Sequence, residues 1–178
     1  MLCLFNTISY AEEDDNKEDK NSVFDLSEEQ DMISDLGIPT VSSVLDLSEK
    51  ADGLWDAEEY KNAADAYATL AEQANWLANI LSAGLEPYYS ADYDDRKDFS
   101  PQKIDISDLV VYETASNTFK SERNRAMLYE GLCYYNIGDY EMALPLLIKA
   151  LDIIEITDEE NWELGMQALY SIVGFDSN

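Results

Sequence analysis

A chain of 178 residues with 46% hydrophobic content is long enough for one well-buried core, so one folded domain with a tail is expected. Its 38 acidic against 11 basic residues give a formal net charge of -27, which argues against nucleic acid and an anionic membrane surface, since phosphate binding needs clustered Lys and Arg. No histidine occurs, which removes the commonest general base and transition-metal ligand; the charge then means solubility, or steering of a basic partner.

Met1 to Ala11 is apolar and ends in Ser9-Tyr10-Ala11, a small-x-small pattern of the kind signal peptidases cut, with the acidic run Glu12 to Asp15 behind it. Residues 1–11 therefore read as the back half of a secretory signal, and imply an extracytoplasmic or secreted protein. The segment has no positively charged start and is shorter than a usual signal, so a merely apolar N-terminus on a cytoplasmic protein is the alternative. It is too short to span a bilayer, which takes about 20 apolar residues. Residues 12–40 are expected to form an acidic, largely disordered linker, because Glu12 to about Asn21 holds nothing apolar to bury. Short apolar patches at 23–26 and 32–39 could dock on the domain.

From about Val41 helical periodicity takes over, with Thr40 to Ser43 supplying N-cap candidates. Val44, Leu47, Ala51 and Leu54 recur at spacings of three and four. After a turn around Asp56 to Glu58 the pattern resumes from Tyr60 to Leu81, and Gly84 and Pro87 end the second helix. Residues 88–103 are irregular. Ser107 or Asp105 is expected to cap a third helix from Leu109 to about Ile137, with a candidate break at Ser116-Asn117. Gly138-Asp139 makes the next turn, and Tyr140 to Ile154 and about Asp158 to Val173 close the domain. The class is all-α, an array of antiparallel helix hairpins with five to seven helices. Cys133 falls in an aromatic helical run and reads as a small buried hydrophobe rather than half of a disulfide.

The stretch from Glu130 to Ala143, continuing to Lys149-Ala150-Leu151, resembles a tetratricopeptide repeat (TPR) closely. Gly131 stands where that family places a small residue for close helix approach, Tyr134 where an aromatic packs between the helices, Gly138-Asp139-Tyr140 at the turn, and Ala143 and Ala150 on helix B. Ala51, Leu54, Tyr60, Ala63, Tyr67 and Ala71 give a weaker second copy. Gly165 follows Gly131 at the spacing of one TPR period, and Asn161 to Gly165 opens a third helix A. The resemblance implies a right-handed superhelical array over residues 41–178 and a protein or peptide partner on its concave face. Two departures stand out. Tyr140 follows Tyr60 by well over one such period, so an insertion around 82–108 separates the first two units, and the third unit stops before a helix B.

In TPR proteins that grip a terminal carboxylate, two helix A positions are typically Lys and Asn. The matching residues are Leu128 and Leu132, and in the first unit Ser48 and Asp52, so recognition of acidic tails of that type is not expected. The concave face offers Arg125, Leu128, Leu132 and Tyr135, then Trp162, Met166 and Leu169, an apolar lining with one cation suited to a hydrophobic peptide or partner helix, or else ordinary core under the insertion. The last helix carries a second apolar side, Leu164, Ala168, Ile172 and Phe175, and a terminal solenoid helix is normally polar on its outer face. Leu164 and Ile172 are thus further candidates for a partner or for self-association. The Tyr- and Asp-rich stretch 88–99 reads as a recognition loop or a packed insertion; its aspartates lack the glycine and terminal glutamate of a calcium loop. No Walker, Rossmann, zinc or nucleophile-elbow motif is present, so no catalytic residue, metal or cofactor is assigned. The expectation is a non-enzymatic interaction module, with a structural subunit of a homo-oligomer or larger assembly as the alternative.

Overall fold

The computed structural model describes residues 37–86 and 106–175, together with positions 30, 33, 34 and 92. Two compact units divide between Gly37 and Ile38. Of the first, helical backbone at Gln30, Ile33 and Ser34 is described, with the Gly37 N–H donating to the Ile33 carbonyl at 3.1 Å. The signal-like segment, the acidic run and, Asp92 apart, the stretch 88–99 lie outside the described residues.

The second unit is all-helical, with five helices and no strand among the described residues. The first, α1 (Val41–Asp56), starts where the sequence places it. The Thr40 hydroxyl accepts from the Ser43 N–H at 3.0 Å and the Ser43 hydroxyl accepts from the Thr40 N–H at 2.9 Å, so two donors that the helix start leaves open are satisfied reciprocally. Such a cap contributes about 1 kcal/mol. In α2 (Tyr60–Ala83) Ala63, Ala64, Ala66, Ala71, Ala74 and Ala78 are all buried. Small side chains over more than one face let helices pack on two sides of it.

The third helix, α3, runs unbroken from Ile106 to Asn136, so the expected break at Ser116-Asn117 is absent. Ser107 is the second residue of the helix, and the other cap candidate, Asp105, lies outside the described residues. Ser116 is buried, and its hydroxyl donates to the Ala78 carbonyl at 3.0 Å and pairs with the Ser82 hydroxyl at 2.7 Å, so a residue that reads as a breaker serves as a polar pin between α2 and α3. Gly84 follows the last residue of α2, so that helix ends where the sequence places its end. Its φ of -69° is right-handed, so the end of α2 makes no use of glycine's freedom. Two shorter helices follow, α4 (Tyr140–Ile153) and α5 (Glu159–Val173).

Three helices end in the same turn. After α1, Glu58 N–H donates to Trp55 and Glu59 N–H to Leu54; after α3, Gly138 donates to Tyr135 and Asp139 to Tyr134; after α5, Gly174 donates to Ser171 and Phe175 to Tyr170. Each turn holds one residue with positive φ: Glu58, Gly138 and Gly174. This is the pattern that closes the open carbonyls of a helix C-terminus. The first two turns match bond for bond, at the same offset that separates Tyr60 from Tyr140.

Side-chain pairs fix the helix directions. Asn75 meets Arg123 while Ser82 meets Ser116, so α2 and α3 are antiparallel; Gly131 abuts Leu147 while Asn124 reaches Ile153, so α3 and α4 are too. Gly165 abuts Leu128 and Ser171 meets Tyr135, which makes α5 parallel to α3. Hence α1, α3 and α5 run one way and α2 and α4 the other. One buried cluster centres on Val44, Tyr67, Leu70 and Phe119, a second on Leu128, Leu132, Leu147 and Ala168, and Trp55, Tyr129 and Tyr134 touch both.

Candidate partner-binding face

Arg125 sits on α3 where that helix passes α1, and its guanidinium is fully engaged. Nη1 donates to Asp52 Oδ1 at 2.9 Å, and Nη2 donates to Glu122 Oε1 at 2.9 Å and to the Ser48 hydroxyl at 3.0 Å. The group lies 5.4 Å from the Tyr129 ring centroid and 5.9 Å from that of Tyr67, whose hydroxyl donates to Asp52 at 2.7 Å. Burial works against the Arg125 charge, but the hydrogen bonds to Glu122 and Asp52 outweigh it and hold its pKa above the ordinary value. Burial first, then the bond to Asp52, pushes the Tyr67 phenol well above its usual range. Arg125, expected as the one cation of a groove, is therefore spent on intrachain partners that tie α1 to α3.

Leu128 and Leu132 also lie elsewhere than expected. They are 0% and 5% exposed, packed with Ala168 in the seam between α3 and α5, so neither lines an open groove. A Cβ at Gly165 would stand 2.9 Å from Leu128 Cδ1 and 3.0 Å from Leu151 Cδ2, which shows how closely α5 is seated. Tyr135 is half-buried at the edge of this seam. Its hydroxyl donates to Ser171 at 3.0 Å, and its ring lies 5.9 Å from Tyr140.

Around α5 the described chain covers one side only. Gly165 and Ala168 are buried and Ile172 packs on the second cluster, so Ile172 belongs to the seam rather than to a free side. At 100° per residue Trp162, Met166, Leu169 and Val173 fall within about 60° of arc beside that seam. Trp162 is 37% and Val173 61% exposed, with Met166 and Leu169 half-buried between them. Leu164, also 37% exposed, stands on the opposite flank with Ser171. Tyr170 and Phe175 meet edge to face at 5.0 Å, a contact that helical periodicity alone does not reveal. Tyr135, Trp162, Met166, Leu169 and Leu164 thus keep accessible surface, as does the partly buried Ile172, while Leu128 and Leu132 are buried and Arg125 is engaged within the chain.

A second concavity of about 320 Å³ opens on the other side of α3, between α2 and α4, lined by Ala71, Glu72, Asn75, Arg123, Met127, Lys149 and Ile153. Among the described residues Arg123 has only neutral acceptors, Asn75 Oδ1 at 2.8 Å and Asn124 Oδ1 at 2.8 and 3.0 Å, and Asn124 in turn donates to the last carbonyl of α4 at 2.7 Å. A cation beside a helix C-terminus offsets the helix dipole, which gives this network a structural purpose. Next to it Glu130 is raised from 4.5 to about 7, first by burial and then by Glu72 and Asp65, with Lys149 opposing. Burial likewise pushes the Cys133 thiol up to about 12. Among the described residues no group of three acidic or cysteine side chains could hold a metal ion, and no helix is long and apolar enough to cross a membrane. No family model, curated protein or solved structure matches the chain.

Proposed function

We propose that this chain is a non-enzymatic, TPR-like scaffold that binds a protein or peptide partner along the uncovered side of α5. One observation carries the reading: the apolar stripe Trp162, Met166, Leu169 and Val173 continues a helix whose adjacent side is packed at closest approach, yet no described residue covers it fully. Helical hairpin arrays bury apolar surface by stacking each element on its neighbours, so an apolar stripe on the last described helix is surface prepared for another element. The two matching turns and the pair of glycines one repeat period apart support the TPR assignment and, with it, a superhelical course. The signal-like Met1 to Ala11 supports an extracytoplasmic location.

The test is affinity capture from the native source with the wild-type chain and with Trp162→Glu as baits, after circular dichroism has shown equal helicity. A partner held by the wild type and lost by the variant supports the reading. Identical capture by both excludes α5 as the contact. Light scattering on the purified chain covers the alternative of a homo-oligomeric subunit: a stable dimer that Trp162→Glu dissolves would replace the scaffold reading.

A further inference from the structure

We infer that the element seated on α5 is a basic amphipathic α-helix, an assignment that rests on the proposed function and names the partner's chemistry. The spacing of the stripe selects a helix. Trp162, Met166, Leu169 and Val173 follow one another at intervals of four, three and four, the rhythm by which one helix presents knobs to another. The stripe runs about 16 Å along the axis, three turns of a partner helix. An extended peptide would instead seek a free sheet edge or pockets at every second position, and the described residues contain no strand.

Charge selects the sign. Glu159 and Glu163 are exposed and project about 50–90° to one side of the middle of the stripe, forming an acidic rim beside its first turn. Neither has an ion-pair partner among the described residues. Residues 150–178 hold seven acidic side chains and no Lys or Arg, so no cation from this part of the chain balances the rim. The same count disfavours a second copy as occupant, since α5 laid on α5 would add carboxylates to a surface that already lacks cations. A helix with an apolar stripe flanked by Lys or Arg meets both halves of the surface, the stripe giving affinity and the rim giving orientation and on-rate.

Three fluorescein-labelled helical peptides, each about five turns long, test this by anisotropy at about 0.15 M salt, where exposed charges beyond about 8 Å are screened. The first has Leu at i, i+4, i+7 and i+11 with Lys flanks, the second the same stripe with Glu flanks, and the third the first one's composition scrambled. The Lys-flanked stripe should bind at least tenfold tighter than the other two and lose at least tenfold on Trp162→Glu. Glu159→Lys with Glu163→Lys, which alters exposed positions only, should shift preference toward the Glu-flanked peptide. Equal binding of the scrambled peptide would reduce the effect to bulk charge and overturn the inference. Equal binding of both striped peptides, lost together on Trp162→Glu, would overturn the basic class while leaving the scaffold reading intact. Binding of none of the three would overturn the helical partner; whether α5 binds at all would then be decided by the capture experiment.

Discussion

Gly131 on α3 lies against Leu147 on α4 so closely that a Cβ at Gly131 would stand 3.1 Å from two of the leucine's side-chain atoms. The helix crossing is set by the absence of a side chain. Gly131→Leu should therefore cost about 1–3 kcal/mol in urea unfolding, the range for overpacking, whereas Gly131→Ala needs only a small adjustment of Leu147 and of the Leu146 Cβ at 3.2 Å and should cost less. Equal stability of the Leu variant and the wild type would mean that the two helices do not cross there, and would remove the main support for the repeat assignment.

The Arg125 clamp predicts an asymmetry. Arg125→Met leaves Asp52 and Glu122 beside each other in a half-buried site without their cation, and should cost about 2 kcal/mol. Asp52→Asn leaves Arg125 bonded to Glu122 and Ser48, and should cost about 1 kcal/mol or less. Thermal or urea melts of the two variants decide; the reverse order would show that the clamp is not what ties α1 to α3.

Glu130 gives a pH dependence of definite sign. Its folded pKa of about 7 lies above the ordinary 4.5, so its contribution to stability is full below about pH 4.5 and is lost as pH rises through about 7. The shift sets an upper bound of about 3 kcal/mol, which solvent screening at a partly exposed site lowers to about 1–2 kcal/mol. Glu130→Gln should therefore stabilise the protein at pH 8 and change little near pH 4.5. A gain of the same size at both pH values would assign the effect to packing instead of charge.

Cys133 is buried and its thiol is held up at about 12, so almost none of it is thiolate near neutral pH. In a Cys3→Ser background, iodoacetamide should fail to label the folded chain and should label it readily in urea. Rapid labelling without denaturant would show that α3 opens away from α2.

The helices are legible in the sequence because their apolar residues recur at three and four and their ends carry strong local signals: Thr40 with Ser43 at one start, Gly138 with Asp139 at one turn. The errors fall where a partner distant in sequence decides. Ser116 looks like a breaker until the Ala78 carbonyl, far earlier in the chain, accepts its hydrogen bond. Arg125 looks like a free groove cation because Asp52 lies two helices back. Leu128 follows the same logic, since only the close seating of Gly165 against it shows that α5 covers it. Periodicity identifies an apolar side, but which neighbour occupies it is a property of the assembled helices.

The length of α2 and α3 has a consequence for cooperativity. In arrays of stacked units, stability is the sum of each unit's own folding and its coupling to the next, and the ratio of the two decides whether the array unfolds in one step or unit by unit. Among the described helices the α2–α3 seam, which joins the first hairpin to the second, is the most extensive, whereas α5 makes far less contact with α3 and α4. The largest of these seams thus lies between the two hairpins rather than within either of them. The four helices α1 to α4 should melt as a single block, with hydrogen exchange slowest along α2 and the middle of α3, while α5 opens first at the weakly coupled end. The helix that carries the proposed contact is then also the one whose ordering a bound partner would change most.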